Sequence, residues 1–202
     1  MLQRPRPLRS RPRAGSCRGG PLKALGRLDQ RLLVALRTRG HSRATERAVG
    51  ALGTFGEWGL GWVGVGAIGA GLDAQGRRAW LTASAIGPAA VGINYGVKLA
   101  VGRERPLIED HPRLARAPSK LSFPSAHSTS SMAAAAAMGR IAPGAGPALT
   151  ALAVAICLGR PFLGMHYPSD VAAGMLLGRA IGRCWPLPGV GVGRQTRAVW
   201  AR

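Results

Sequence analysis

Near the start of the chain, leucines recur at intervals of three and four residues among arginines, over residues 21–47. This spacing places apolar side chains on one face of a helix and basic side chains on the opposite face. The pattern predicts an amphipathic helix over residues 21–48 that lies on a membrane surface. The alternative is a helix packed on the core of a soluble protein. The leucines concerned are Leu22, Leu25, Leu28, Leu32, Leu33 and Leu36.

Five apolar stretches follow this helix. The first, residues 51–72, carries a single charge at Glu57 and is long enough to cross a bilayer at about 1.5 Å per residue. The others cover residues 79–101, 126–141, 147–158 and 169–181, and the last three are short for full spans. The sequence therefore predicts an all-α, polytopic membrane helical bundle with about five transmembrane helices and an N-terminal amphipathic helix.

Polar segments separate and flank these stretches. Residues 1–20 are rich in arginine and predict a disordered basic tail, whereas residues 184–202 combine proline with glycine and predict a second disordered tail. Residues 102–124 form a loop that is too polar to cross a bilayer. The membrane-embedded domain is therefore expected over residues 49–183.

Small residues are frequent in the predicted spans. Gly50, Gly53, Gly56 and Gly59 recur at every third position. Because helices in lipid associate where their backbones approach closely, this row predicts a packing contact. The alternative is the compositional bias of a GC-rich genome, which supplies glycines without a packing role.

The formal net charge of +20 raises nucleic-acid binding as a function. Thirteen of the 28 Lys and Arg residues precede Gly50, however, and the sequence lacks the aromatic-interleaved and zinc-finger patterns of nucleic-acid readers. A basic segment beside apolar spans is more typical of the cytoplasmic side of a membrane. The three cysteines are widely spaced and lack metal-ligand spacing, so neither a disulfide framework nor a zinc site is predicted.

Three motifs contain the candidate catalytic and binding residues. In the first motif, six residues separate Lys98 from Arg105, which Pro106 follows directly. It places one cation in the last turns of a helix and another just beyond them. A guanidinium fork matches phosphate oxygens, and an ammonium adds a compact point charge. The alternative is a lysine that reaches from a helix end to the membrane interface.

The second motif, Pro124-Ser125-Ala126-His127, directly precedes the third apolar stretch. Ser125 is predicted as the helix N-cap, so the first backbone amides form a site for an anion. The helix dipole disfavours a charged His127 in this first turn unless an anion such as phosphate supports it. The alternative is an ordinary surface histidine at a helix start.

The third motif spaces Arg160, His166 and Asp170 with five and then three intervening residues, and Pro168 marks a new helix start. The carboxylate can then reach back toward the imidazole. An Asp bonded to one ring nitrogen fixes the tautomer and leaves the other nitrogen free to attack. The alternative is Asp170 as an ordinary acidic residue of a helix start.

Taken together and in this order, the motifs resemble those of the type 2 phosphatidic acid phosphatase family, the membrane relatives of vanadium haloperoxidases and bacterial class A acid phosphatases. The resemblance covers residues 51–182. It implies a metal-independent phosphatase with a phosphohistidine intermediate and no cofactor. Two other functions stay open: a vanadate-dependent haloperoxidase-like enzyme, and a non-catalytic basic membrane protein.

The resemblance also implies a role for each motif residue. His166 would be the nucleophile, Asp170 would orient it, and His127 would protonate the leaving oxygen and then help to activate water. The phosphate would be held by the other motif residues, namely Lys98, Arg105, Ser125, the amide of Ala126, and Arg160. The chain departs from the family pattern at Ala126, where Gly is usual, and at Gly159, where Ser is usual; neither departure removes a catalytic group.

With five spans, all three motifs share the membrane face of the N-terminus. That face would carry 20 of the 28 Lys and Arg residues, so the positive-inside rule predicts a cytoplasmic active site on a plasma-membrane protein. The expected substrate is a monophosphate or diphosphate of a polyprenyl lipid or glycerolipid. A short chain rich in Ala and Arg is similar to actinobacterial members of the family, which implies decaprenylphosphoryl-5-phosphoribose as one substrate. The motifs leave the head group, the lipid length and the oligomeric state open.

Overall fold

The computed structural model describes residues 21–108 and 111–190. Over these residues the chain is helical, and its one extended pairing is an isolated antiparallel bridge between Glu104 and Leu121. The all-α prediction is confirmed, and the tail predicted over residues 1–20 lies outside the described residues. The helices are α1 (Pro21–Thr38), α2 (Arg43–Phe55), α3 (Leu60–Leu72), α4 (Arg77–Ser84), α5 (Ile86–Val101), α6 (Ala126–Ile141), α7 (Gly146–Phe162) and α8 (Pro168–Cys184), with 3-10 turns at Glu57–Gly59 and Pro143–Ala145.

Helix α6 is the centre of the bundle and packs against α5, α7 and α8. Its buried face includes not only alanines but also the four consecutive hydroxyl residues 128–131. All four hydroxyls have hydrogen-bond partners. That of Thr129, for example, donates to the Ser125 carbonyl at 3.0 Å, and that of Ser131 accepts from the Trp62 indole at 3.1 Å. Buried polar groups of this kind are stable only when they are hydrogen-bonded.

A row of glycines brings α8 close to α6. A Cβ at Gly174, Gly178 or Gly182 would lie 2.7, 2.2 or 2.3 Å from a carbonyl oxygen of the segment that begins at Ser125. The close backbone packing expected from the many small residues is therefore present at this interface. It also joins two motifs, because the Ser125 amide donates to the Asp170 carbonyl at 3.0 Å.

The predicted amphipathic helix over residues 21–48 is two helices in the structure. Helix α1 ends at Thr38, and Gly40 follows with a φ of 72°, a left-handed conformation that glycine adopts readily. Ser42 then caps α2 by accepting a hydrogen bond from the Thr45 amide at 3.1 Å. The turn at Gly40 and the cap at Ser42 therefore divide the predicted helix into two.

The first two predicted spans are also interrupted. Residues 51–72 are broken between α2 and α3 at Trp58 (φ 53°) and Gly59 (φ 74°). A Cβ at Gly59 would lie 2.6 Å from the carbonyl carbon of Gly87, so contact with α5 fixes this break. Residues 79–101 form α4 and α5, which meet at Ala85, whereas α6 has the predicted bounds.

Among the described residues, the segment Pro143–Phe162 meets the length and composition of a membrane-crossing helix. The count of about five transmembrane helices stays a prediction. Large apolar side chains nevertheless face outward on several other helices, an arrangement typical of a membrane-facing surface. They include Leu60, Ile68, Ile93, Leu99 and Leu176.

Helix α1 turns four of its leucines away from the bundle. Its buried face consists of Asp29, Leu33 and Arg37, spaced four residues apart, and the leucines at positions 25, 28, 32 and 36 are exposed. The apolar face is therefore not packed on the described protein, which favours the prediction of a membrane-surface helix over that of a helix on a soluble core.

Residues 185–190 continue beyond α8 and pack on the bundle. Leu187 is buried, and the Trp185 indole donates to the Thr82 carbonyl at 3.1 Å. Arg140 donates to the carbonyl of Trp185 at 2.8 Å. The predicted disorder therefore does not begin at residue 184, and residues 191–202 lie outside the described part of the chain.

Candidate active site

The three motifs meet at one end of the bundle, around a cavity of about 480 Å³. The end of α5, the start of α6, the end of α7 and the loop before α8 supply its wall. Ser125 and Asp170 lie fully buried behind this wall. The structure thus brings all eight predicted site residues together. The other six line the cavity and are Lys98, Arg105, Ala126, His127, Arg160 and His166.

Lys98 is buried, and its ammonium holds the loop that leads into α6. It donates to the carbonyls of Leu121, Ser122 and Pro124 at 3.3, 3.1 and 3.0 Å. An ammonium has three donors, so these contacts use all of them. Lys98 therefore both fixes the loop that leads into α6 and adds positive charge to the cavity.

Arg105 holds one nitrogen of His166. One of its terminal nitrogens donates to the Met165 carbonyl at 2.9 Å and lies 3.0 Å from Nε2 of His166. Because a guanidinium cannot accept a hydrogen bond, Nε2 is the unprotonated ring nitrogen and Nδ1 carries the proton. Burial lowers the pKa of Arg105 to about 10, so this side chain is charged at neutral pH.

Asp170 approaches the other nitrogen of His166. Its Oδ2 lies 3.5 Å from Nδ1, an ion-pair distance, and Nδ1 has no hydrogen-bond partner within the described structure. The shorter contacts of this carboxylate are to the Tyr167 amide at 3.0 Å and to a terminal nitrogen of Arg103 at 2.8 Å. The carboxylate therefore lies beside the imidazole as predicted, but the predicted hydrogen bond between them is not formed.

His127 lies opposite, at the start of α6. Its Nε2 is 3.0 Å from the Gly53 carbonyl and 3.4 Å from a carboxylate oxygen of Glu57. A carbonyl can only accept, so Nε2 carries a proton. Nδ1 is then the nitrogen at which this ring can gain or lose a second proton.

Ser125 caps α6 as expected, since its hydroxyl accepts from the Ser128 amide at 3.4 Å and from the Ser128 hydroxyl at 3.0 Å. Its buried position places it behind the cavity rather than on the wall. A direct bond from Ser125 to phosphate therefore has less structural support than its capping role.

Arg160 is buried in the last turn of α7, and its Nε lacks a hydrogen-bond partner among the described groups. A buried guanidinium with an unpaired donor is satisfied by a bound anion. The departure at Gly159 also has a structural cause, because a Cβ there would lie 2.8 Å from Cγ1 of Val49 in α2.

Sequence reasoning missed three charged residues of this region: Glu57 beside His127, Arg103 beside Asp170, and Asp29, which accepts from Arg103 at 2.8 Å. Glu57 had a signal, since it is the lone charge in an apolar stretch. Asp29 is the lone acid of a basic helix, a weaker signal. Arg103 lies between Lys98 and Arg105 in the sequence, but no pattern distinguishes it from the other charged residues of the loop.

Two glycines of the row at residues 50–59 lie against candidate site residues. A Cβ at Gly53 would lie 3.0 Å from a terminal nitrogen of Arg160, and one at Gly56 would lie 2.9 Å from Cδ2 of His127. Gly50 has nothing within 4 Å. The predicted close packing is therefore found at three of the four positions, and two of them border candidate site residues.

We expect Gly53→Ala to raise KM about tenfold, because the added methyl group displaces the Arg160 guanidinium by a few tenths of an ångström. Gly50→Ala is the matched control, since it makes the same change on α2 in open space. Steady-state kinetics of both variants measure the effect. Equal KM values for the two would contradict a role for Gly53 in seating Arg160.

The protonation of His166 sets a second expectation. Burial, and then the positive charges of Arg105 and Arg160, hold its pKa well below the usual 6.5. As pH falls, the His166 ring therefore stays neutral past pH 6.5, and Arg105 stays charged at every pH below about 10. We expect the rate of enzyme phosphorylation by an aryl phosphate, corrected for substrate ionisation, to hold between these limits. A His166-dependent loss of rate centred at pH 6.5 would contradict it.

Comparison with known proteins agrees with this geometry. The family model of the PAP2 superfamily matches residues 79–187, which include all three motifs. The chain therefore belongs to the PAP2 superfamily, and it is a phosphatase.

Individual relatives narrow the comparison. Decaprenylphosphoryl-5-phosphoribose phosphatase of Mycobacterium tuberculosis (strain ATCC 25618 / H37Rv) is 45% identical over 147 residues, which cover 71% of this chain and 79% of that protein. The protein of the same name from Mycolicibacterium smegmatis is 42% identical over 127 residues, covering 61% of this chain and 68% of that protein. The resemblance inferred from the motifs is confirmed.

A solved structure shows the same fold. It is that of a transmembrane PAP2-type phosphatidylglycerolphosphate phosphatase from Bacillus subtilis, with a TM-score of 0.64 and 20% sequence identity. The match covers 79% of this chain and 83% of the other.

Proposed function

We propose that this chain is a metal-independent lipid-phosphate phosphatase that works through a phosphohistidine at His166. One observation carries the proposal: Arg105 holds Nε2 of His166 as a free base, at a cavity wall where the buried Arg160 keeps an unpaired donor. A lone pair beside guanidinium groups suits attack on a phosphorus atom whose oxygens those groups bind.

In the first step, phosphate oxygens take over donors of Arg105 and Arg160. The Nε2 lone pair of His166 is thereby released and forms a bond to phosphorus, while the bond from phosphorus to the leaving oxygen breaks. Asp170, 3.5 Å from Nδ1, balances the positive charge on the ring. The cations offset the charge on the transferred phosphoryl oxygens.

His127 handles the proton in both steps. Nε2 donates to the Gly53 carbonyl, so the proton transferred to the leaving oxygen comes from Nδ1. The Glu57 carboxylate, 3.4 Å from Nε2, stabilises the doubly protonated ring before that transfer. Neutral Nδ1 then accepts a proton from water as the water oxygen attacks phosphorus. The bond between phosphorus and nitrogen breaks, which releases inorganic phosphate and free His166.

The cavity also has room for an apolar chain. Its lining combines the basic side chains already described with larger apolar and aromatic ones, which are those of Trp58, Val91 and Tyr95. A substrate with a phosphate at one end and a hydrocarbon at the other matches this combination. The exposed leucines of α1 and the outward apolar side chains of the bundle support a site at a membrane surface. The excess of basic residues on that side supports the cytoplasmic face of the plasma membrane.

The proposed substrate is a polyprenyl-linked sugar phosphate, with decaprenylphosphoryl-5-phosphoribose first among candidates. The names of the two mycobacterial relatives support this choice. Arg116 also lines the cavity beside Ser119, which gives the head group polar partners next to the reacting phosphate.

Phosphate release by the purified full chain tests the function, with decaprenylphosphoryl-5-phosphoribose, polyprenyl diphosphate and phosphatidic acid as substrates. The expected result is release that is fastest from the first lipid, survives a chelator and is lost in His166→Ala. Loss of release on chelation would refute metal independence. Peroxidase activity on vanadate loading, without phosphate release, would favour the haloperoxidase alternative.

A further inference from the structure

Arg103 lies behind the pair formed by His166 and Asp170 and joins two buried carboxylates. One terminal nitrogen donates to Oδ1 of Asp170 at 2.8 Å, and the other donates to Oδ2 of Asp29 at 2.8 Å. Its guanidinium carbon lies 4.0 Å from the centre of the Tyr167 ring. Contacts on three sides therefore fix this side chain.

Asp29 reaches this region from α1. Its Oδ1 accepts a hydrogen bond from the Ser169 amide at 2.9 Å, and its Oδ2 accepts from the Ser169 hydroxyl. Ser169 lies in the first turn of α8, directly before Asp170. Asp29 thus satisfies one of the free amides of that helix start. Helix α1 is therefore bonded to the element that carries the candidate carboxylate.

The two oxygens of Asp170 have separate partners. Oδ1 is held by Arg103, and Oδ2 accepts from the Tyr167 amide at 3.0 Å and lies 3.5 Å from Nδ1 of His166. Without Arg103, Oδ1 of Asp170 loses this hydrogen bond, and no cation lies between the carboxylates of Asp170 and Asp29. Its orientation toward the imidazole then depends on the Tyr167 amide and on the Ser122 side chain.

We propose that Arg103 and Asp29 are positioning residues for the phosphatase reaction: through Arg103, helix α1 holds Asp170 in the orientation that His166 requires. This inference rests on the proposed function of His166. It makes α1 part of the catalytic assembly, although α1 lies outside the region that the family model matches, residues 79–187. The same helix exposes leucines on its other face, so lipid contact and active-site geometry depend on one element.

Four variants of the full chain test the proposal: Arg103→Gln, Arg103→Lys, Asp29→Asn and the double variant Asp29→Asn/Arg103→Gln. Matched controls are Arg78→Gln and Arg31→Gln, which remove charge at exposed positions, the second on α1 itself. The measurements are kcat, KM and inhibition by inorganic phosphate in detergent micelles containing the same lipid substrate.

We expect Arg103→Gln to lower kcat about 10- to 100-fold, the range typical of residues that orient a reacting group. KM and phosphate inhibition should stay within about twofold of the parent, because Arg103 contacts carboxylates and not the phosphate. Arg103→Lys keeps the positive charge but not the two-pronged guanidinium, so its kcat should lie between those of Arg103→Gln and the parent. The double variant should lose less than the product of the single losses, since both act through one contact network.

Effects on kcat no larger than those of the two controls would overturn the inference. A parallel loss of phosphate inhibition in Arg103→Gln would also overturn it, since Arg103 would then be a substrate contact. Should Arg103→Gln fail to fold, Asp29→Asn and Arg103→Lys decide by the same criteria. Full activity of His166→Ala would instead refute the proposed function.

Discussion

His166→Ala is expected to lower kcat by about 10³- to 10⁶-fold, the loss seen when a catalytic nucleophile is removed. In the proposed mechanism, the base at Nε2, which lies 3.0 Å from a terminal nitrogen of Arg105, is the group that bonds to phosphorus. Phosphate release from the lipid substrate measures the loss. Rapid quenching into alkali, where a phosphorus–nitrogen bond to histidine survives, measures the intermediate directly.

His41→Ala is the matched control for this experiment. His41 stacks on Phe162 with ring centres 3.9 Å apart and lies 3.1 Å from Glu46, outside the residues that line the cavity. We expect this variant to keep both turnover and the phosphorylated intermediate. An alkali-stable phosphoenzyme in His166→Ala would show that another residue is the nucleophile.

His127→Ala is expected to affect the two halves of the reaction differently. With an alkyl phosphate, the first step should slow about 10²- to 10⁴-fold, because the leaving oxygen needs the proton from Nδ1. With an aryl phosphate, whose leaving group needs no proton, the first step should survive. Hydrolysis of the intermediate should still be slow, because His127 is also the proposed base that activates water. A burst of aryl alcohol followed by slow turnover is therefore the expected time course.

Pre-steady-state measurement of both substrates distinguishes this role from a binding role. Glu57→Gln is the accompanying variant, and we expect a smaller loss in the same direction because it removes the carboxylate 3.4 Å from Nε2 but leaves the imidazole. Loss of the aryl burst in His127→Ala would contradict the proposed proton transfer and would indicate that His127 binds the phosphate.

Much of the site could be predicted from the sequence because its signals are local. Ser125 followed by an alanine-rich stretch predicts a capped helix, and α6 begins directly after this residue. The order of Arg160, His166 and Asp170 around Pro168 predicts a helix end, a loop and a new helix start, and the structure has each of these. Helix propensity and helix capping depend on residues that are close in sequence, so the sequence pattern predicts these helix ends and starts.

The boundaries of the N-terminal half could not be predicted in this way. Residues 51–72 are apolar throughout apart from Glu57, and hydropathy alone favours one continuous helix. The break depends on Gly59 meeting Gly87, 28 positions further along the chain. This contact forms only when α5 packs against the turn, so the hydropathy pattern around Gly59 does not predict it.

The sequence by itself determined the family, the helical class and the set of groups available for chemistry. Only the tertiary structure decided which of those groups act on one another. Asp29 and Arg103 are 74 positions apart, as are Gly53 and His127. The charge of a side chain is a property of its residue type, but its orientation and protonation depend on the neighbours that folding brings within hydrogen-bonding distance. The roles of Asp29, Glu57 and Arg103 therefore depend on contacts that only folding creates: Glu57 lies beside His127, and Arg103 joins Asp29 to Asp170.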